Sequence, residues 1–352
     1  MVRFTYKYLK PVALIILILP FFSCGLEDYN VDPILTIENN KITCSHCGYF
    51  AENIVTDQDH VLISSLKTLR VFQFDGQIIE MIQTITPGGD IRHMAANNKT
   101  LAIAIVKDDI EMILIYSRSE DLWEFKQEIP AIRKSWTFGR DIDIDGDLMV
   151  VGDNGYQMGY GTVGDKEGRV YVYRKINEKW TFEKEFRSSH HSINDAFGKY
   201  VAVYKNIILA GSESTLLYIY KNDGKWELFK TKNNNVTSIS HSGNRFLMFS
   251  GNRDFLAFNL ELDGRYTENE INFEVQNISE NLAVNNVHAI IADSDQFYLL
   301  KYENDQWQYE MTFNPHHEYL EERAVAITDQ YVIIGGDDIS KSGTSYVYFL
   351  IY

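Results

Sequence analysis

At 352 residues, 45% of them hydrophobic, the chain is long enough to bury a large core, which excludes disorder as a general description. Aromatics make up 13%, with 22 Tyr and 20 Phe against 6 Pro, a strand-forming rather than a linker composition. The net charge is −16, from 33 basic and 49 acidic residues, and a surface of that sign repels nucleic acid and anionic lipid.

The chain opens with a basic segment, Arg3, Lys7 and Lys10, followed by an apolar stretch from Pro11 to Phe22. Twelve residues are too few for a stable bilayer-spanning helix, so residues 1–24 read as a secretory signal. The following Phe21-Phe22-Ser23-Cys24-Gly25 resembles a bacterial lipobox, with Phe21 where Leu is usual. The resemblance implies lipidation of Cys24 and a lipid anchor in the membrane; the alternative is an ordinary signal peptide or an uncleaved anchor. Cleavage before Cys24 removes three basic groups and no acidic one, leaving 30 Lys and Arg against 49 Asp and Glu, a net charge of −19. Residues 25–33 form a short linker, and Glu27-Asp28 within it looks like a short signal for export to the cell surface.

Cys44-Ser45-His46-Cys47 lacks the following His that haem attachment needs, and no second Cys pair exists for a zinc site. In an oxidising compartment Cys44 and Cys47 suit a local disulfide, with free thiols as the other state.

Residues 34–352 read as one repeat domain. A short apolar run behind a polar turn recurs seven times: Val61-Leu62-Ile63, Leu101-Ala102-Ile103, Met149-Val150-Val151, Ile208-Leu209-Ala210, Leu247-Met248-Phe249, Ala289-Ile290-Ile291 and Val332-Ile333-Ile334. The spacing, about 40 to 60 residues, is that of propeller blades. Asn, Asp and Gly in the turns, as in Asn97-Asn98 and Asp145-Gly146-Asp147, tolerate the left-handed conformations of tight hairpins. Alternating aromatic strands follow, such as Val170-Tyr171-Val172-Tyr173, and in four repeats a Trp then opens another strand: Trp123, Trp180, Trp226 and Trp307. The unit therefore has four strands, a to d. The expectation is an all-β, seven-bladed β-propeller. Its seventh repeat supplies only strands a to c, and an N-terminal strand within Ile34 to Ile42 completes that last blade and closes the ring.

Two repeats carry a sharper signature. Phe138-Gly139, Asp141 to Asp147, Val150-Val151-Gly152-Asp153 and Gly168-Arg169-Val170-Tyr171 form one copy, and Phe197-Gly198 through Ala210-Gly211 to Trp226 forms the second. Residues 137–230 thus resemble the FG-GAP repeat of integrin-type propellers in its bacterial variety. The other five repeats lack the Phe-Gly start. The resemblance implies a binding protein.

Candidate sites are few. Asp141, Asp143 and Asp145 alternate like the start of a calcium loop, but Met149, Val150, Val151 and Gly152 stand where further acidic ligands belong, so the run reads as a strand and turn and only weakly as a metal site. The histidine pairs His190-His191 and His316-His317 fall in loops between blades, on the same face as the long b–c loop Asp153 to Gly168. That loop carries Asn154, Tyr156, Tyr160 and Asp165, whose amphipathic rings on glycine-rich backbone suit recognition of a sugar or protein surface; an insertion without a ligand is the other reading. No nucleophile elbow, P-loop, dinucleotide fingerprint or His-Glu-x-x-His is present, and no cofactor is implied. The sequence reads as a non-enzymatic lipoprotein of the outer membrane or cell surface whose loop face binds a protein or glycan. The alternatives are a carbohydrate-active or phosphatase-like propeller enzyme and an outer-membrane assembly scaffold.

Overall fold

The computed structural model describes residues 34–38, 40–45, 47, 50–155, 168–188, 196–212, 216–233, 236–250, 255–269, 271, 278–293, 296–313, 320–338 and 343–352. Every regular element among them is a β-strand. Six sheets are four-stranded antiparallel meanders in chain order, and the seventh has five strands. The protein is a seven-bladed β-propeller, with the seven apolar runs as strand b and the four Trp residues at the start of strand d.

Each strand b is covered on both faces by neighbouring blades, so it reads as an unbroken apolar run, whereas a strand with one solvated face alternates. Leu148–Asp153 and Ile207–Gly211 are buried at every position. The core is correspondingly divided into seven clusters, one at each junction between blades. At the junction of blades 2 and 3, the small Ala95, Ala102 and Ala104 face the large Phe138, Tyr171, Tyr173 and Trp180.

The strand d tryptophans lock neighbouring blades. Trp123 in blade 2 packs with Leu62, Leu69 and Val71 of blade 1. Its indole N–H donates to His60 Nδ1 at 3.1 Å. The Gln83 amide accepts from the Trp123 backbone N–H (2.8 Å) and donates to its carbonyl (2.9 Å). Gln127 clasps Trp180 of blade 3 in the same way, at 2.8 Å in both directions. Gln83 and Gln127 hold the same register, each just after a β-bulge in strand d.

The N-terminal segment does close the ring, but with different residues from those expected. The missing outer strand of blade 7 is β2 (Lys41–Ser45), which pairs with Thr344–Ile351, Ile42 opposite Val347. Ile34–Glu38, read as part of the closing strand, forms β1 outside it as a fifth strand. The reason is local. Asn40 takes a left-handed φ of 59° and turns the chain between Glu38 and Lys41, so the segment is a hairpin instead of one strand. The inward residues of β2, Ile42 and Cys44, are fully buried in the cluster shared by blades 7 and 1. Cys44 and Cys47 are bonded in the structure, both buried, with Cα atoms 5.6 Å apart.

Candidate functional site

In an antiparallel meander, b–c turns and d–a loops leave from one end of every blade, here termed the upper face. The described part of that face is most elaborated between blades 2 and 3. Strand d of blade 2 ends at Pro130, strand a of blade 3 starts at Phe138, and the loop between them is built around Glu111, near the upper end of strand c (Ile110–Ser119).

Glu111 is 3% exposed. One carboxylate oxygen accepts from the backbone N–H groups of Ser135 (3.1 Å) and Trp136 (2.9 Å) and from the Ser135 hydroxyl (3.2 Å). The other accepts from the Phe138 N–H at 2.9 Å. A buried carboxylate thus takes the place of a backbone ladder for a segment that cannot be strand, and bonds to a charged acceptor are the strong kind. So held, Trp136 adopts φ = +67°, a conformation disfavoured for any bulky residue, and the residue is 43% exposed. The Lys134 ammonium lies 4.3 Å from the ring centroid. Ile132 in the same loop and Ile110 in the adjoining turn are each more than half exposed.

A second buried carboxylate ties this loop to the next. Asp153, fully buried at the end of strand b of blade 3, accepts from the Thr137 hydroxyl at 2.6 Å, the Gly155 N–H at 3.2 Å and Arg133 Nε at 3.3 Å. Asp153 also opens the long b–c loop, so the Trp136 platform and the base of that loop share one anchor. Asn154, next along, has a buried side-chain oxygen without a hydrogen-bond partner. The other residues singled out there, Tyr156, Tyr160 and Asp165, lie outside the described residues, as do His190, His191, His316, His317 and Cys24.

The alternating aspartates, read from the sequence as a strand and turn, lie on a strand and are placed where they bond backbone. Asp141, Asp143 and Asp145 stand on the innermost strand of blade 3 and reach the innermost strand of blade 4 and the turn after it, accepting from the N–H of Val201 (2.7 Å), Val203 (2.6 Å) and Lys205 (2.6 Å). Their spacing of two, the repeat of one strand face, matches the spacing of donors on the neighbouring strand. Among the described residues no group of three His, Cys, Asp or Glu side chains is placed to hold a metal. Two histidines join the ladder. His93 Nε2 lies 2.9 Å from Asp141, and His241 of blade 5 reaches Asp143 at 2.8 Å. The other ring nitrogen of His241 faces the Gly243 carbonyl at 3.1 Å. Both neighbours are acceptors, an arrangement that favours the doubly protonated ring. Burial alone pulls its pKa down, but the Asp143 charge and hydrogen bond outweigh this, and it stands above the usual imidazole value.

Sequence reading passed over Trp136, Glu111 and both histidines of the ladder. The available signal was that Trp136 is the one tryptophan of five off the repeat register.

No protein-family model matches the sequence, and no curated protein is significantly similar to it. Solved structures are similar in fold. The β-propeller domain of Myceliophteria thermophila Cps50 (Swd1) has a TM-score of 0.59 at 7% identity, over 87% of this chain and 97% of that one. The Neurospora crassa Pan2 WD40 domain gives 0.55 at 11%, over 87% and 90%. BamB from Moraxella catarrhalis gives 0.52 at 12%, over 90% and 100%. The likeness is one of fold alone. At these identities it carries the ring of blades and none of the residues of the upper face.

Proposed function

We propose that the protein is a non-enzymatic binding propeller that recognises a partner protein through its upper face at the junction of blades 2 and 3. In this reading it is held at the outer membrane or cell surface of a bacterium by lipid on Cys24. The observation that carries the binding role is Trp136: a large ring kept exposed, in a left-handed conformation, by a buried carboxylate spent on its loop. Strain and buried charge of this kind persist where a surface has a task, and a rigid aromatic gives contact area at low entropic cost. The aliphatic Ile110 and Ile132 beside it favour a protein surface over a glycan, which offers hydroxyls to aliphatic neighbours. For the non-enzymatic part, Asp141, Asp143 and Asp145 have the geometry of blade-to-blade bonds. The kinship with FG-GAP repeats is part of the same proposal. It is supported by Gly139 and Gly198, whose φ values of +79° and +82° and close neighbours leave no room for a Cβ.

The test is a photo-crosslinking residue at position 136 in the native cell, compared with one at Leu262 on the opposite face. A single protein adduct at 136 and none at 262 is expected. No adduct at 136, or the same adducts at both positions, refutes the platform.

A further inference from the structure

The strand that closes the ring is β2, yet the chain places β1 (Ile34–Glu38) outside it, a fifth strand that closure does not require. Its outer edge differs from those of the other blades. In blades 1, 2, 3, 4 and 6 the outermost strand holds one extra residue opposite its neighbour, a β-bulge that bends the edge away from flat pairing. Blade 5 ends in a strand of four residues, Tyr266–Asn269, and Ile271 beyond it bridges to Trp307 at the rim of blade 6. β1 has neither device: all five of its residues pair with β2 without a shift of register. Among the described residues no other strand pairs with it, and none of its own residues is engaged in a further hydrogen bond.

Its side chains suit an edge that becomes covered. Leu35 and Ile37 pack on the cluster shared by blades 7 and 1, and both stay only partly buried. Thr36 lies between them on the opposite face, and Glu38, the single charge, stands at the end of the strand. A flat, largely aliphatic edge without lysine, proline or bulge is a template for another strand.

The complementary strand is a second β1. Antiparallel pairing centred on Thr36 is the one register that matches all five residues, with Thr36 opposite Thr36, Leu35 opposite Ile37 and Glu38 opposite Ile34. Opposed residues share a face, so Leu35 and Ile37 of both copies extend one apolar strip, and no two charges meet. The lipid reading of Cys24 brings copies to the same place. Residues 25–33 reach at most about 30 Å, so β1 is the part of the propeller tied nearest the membrane. Five-residue strands set the two linker starts about 17 Å apart, within reach of one bilayer. Confinement there raises the effective concentration for a small interface.

We infer that β1 is a self-pairing edge: two copies of the chain join blade 7 to blade 7 through antiparallel β1 strands, making one ten-stranded sheet across a two-fold axis. The interface goes beyond the Trp136 platform and rests on the lipid anchor only for where the copies meet.

Disulfide trapping in the native cell decides it, with single cysteines placed in β1 of the full chain and non-reducing gels run on membrane and soluble fractions. Paired strands bring the two Cα atoms at the two-fold axis to about 4.5–5.5 Å, inside disulfide range, so T36C should give a band of twice the chain mass in most molecules. Position 38 lies about 14 Å from its own copy, and E38C should give less than a tenth as much. Coexpressed L35C and I37C, tagged differently, should trap the mixed pair. Equal trapping at 36 and 38 reports random collision and overturns the pairing, as does trapping at neither. T36C joined to a different protein overturns the second copy in favour of a partner's strand. Trapping at 36 in the soluble fraction keeps the pairing and overturns the anchor, whereas a membrane-bound chain that does not trap keeps the anchor and overturns the pairing.

Discussion

Replacing Glu111 with Ala removes the acceptor for three backbone N–H groups and one hydroxyl at a site 3% exposed. A buried donor left unpaired costs about 1–3 kcal/mol, and bonds to a charged acceptor are worth more than neutral ones. The costs do not sum, because water entering the vacated space satisfies part of the loss. The expected destabilisation is therefore about 3–5 kcal/mol, at the upper end for single substitutions. Glu111→Gln keeps one acceptor oxygen for the Ser135 and Trp136 N–H groups and turns an amide against Phe138, so about 1–3 kcal/mol is expected. Thermal melting should register E111A as a fall of roughly 6–12 °C. Hydrogen exchange should show where the loss arises, with the amides of Ser135, Trp136 and Phe138 losing protection first and those of the blade 5 strands keeping theirs. If E111A melts within a degree of the parent, or if protection falls evenly around the ring, the carboxylate does not hold this loop and the account of Trp136 fails with it.

Three further outcomes follow from the same structure. The folded-state pKa of His241 is raised, so its ion pair with Asp143 contributes stability that is fully present below the unfolded imidazole value near 6.5 and is lost as pH rises through the folded value; urea unfolding from pH 6 to 9 should show a decline that Asp143→Asn flattens, and parallel curves would refute the pair. Removing residues 34–38 strips only the fifth strand and should cost less than about 2 kcal/mol, whereas Ile42→Ala in the closing strand should cost about 2–5 kcal/mol, a ranking that chemical denaturation would overturn if reversed. The bond between Cys44 and Cys47 closes a four-residue loop, so C44A/C47A should lose only about 2 kcal/mol on the chain-entropy estimate, and loss of folding altogether would mean that it does more than close that loop.

The repeat was legible because burial on both faces demands an unbroken apolar run, and seven such runs at blade spacing admit few other folds. Trp123, Trp180, Trp226 and Trp307 marked strand d for the same reason, since one register meets one environment in every blade. The turn residues were read only in part. Asp57, Asn97 and Asp145 suit tight hairpins, but each side chain also accepts a backbone N–H from the next blade's turn, at Lys99, Gly146 and Lys205, stitching the inner ring. That stitch joins residues 42 to 60 positions apart and leaves no local trace. Ile34 to Ile42 showed strand composition, but the single left-handed residue Asn40 decided which half pairs with the last strand.

By itself the sequence determined the architecture, since periodic burial is written into composition at fixed spacing. The tertiary structure alone decided the use of individual polar groups. It directed the aspartates of blade 3 to backbone N–H groups and set Glu111 beneath Trp136, because a hydrogen-bond partner 24 to 60 residues away is fixed only when the blades come together.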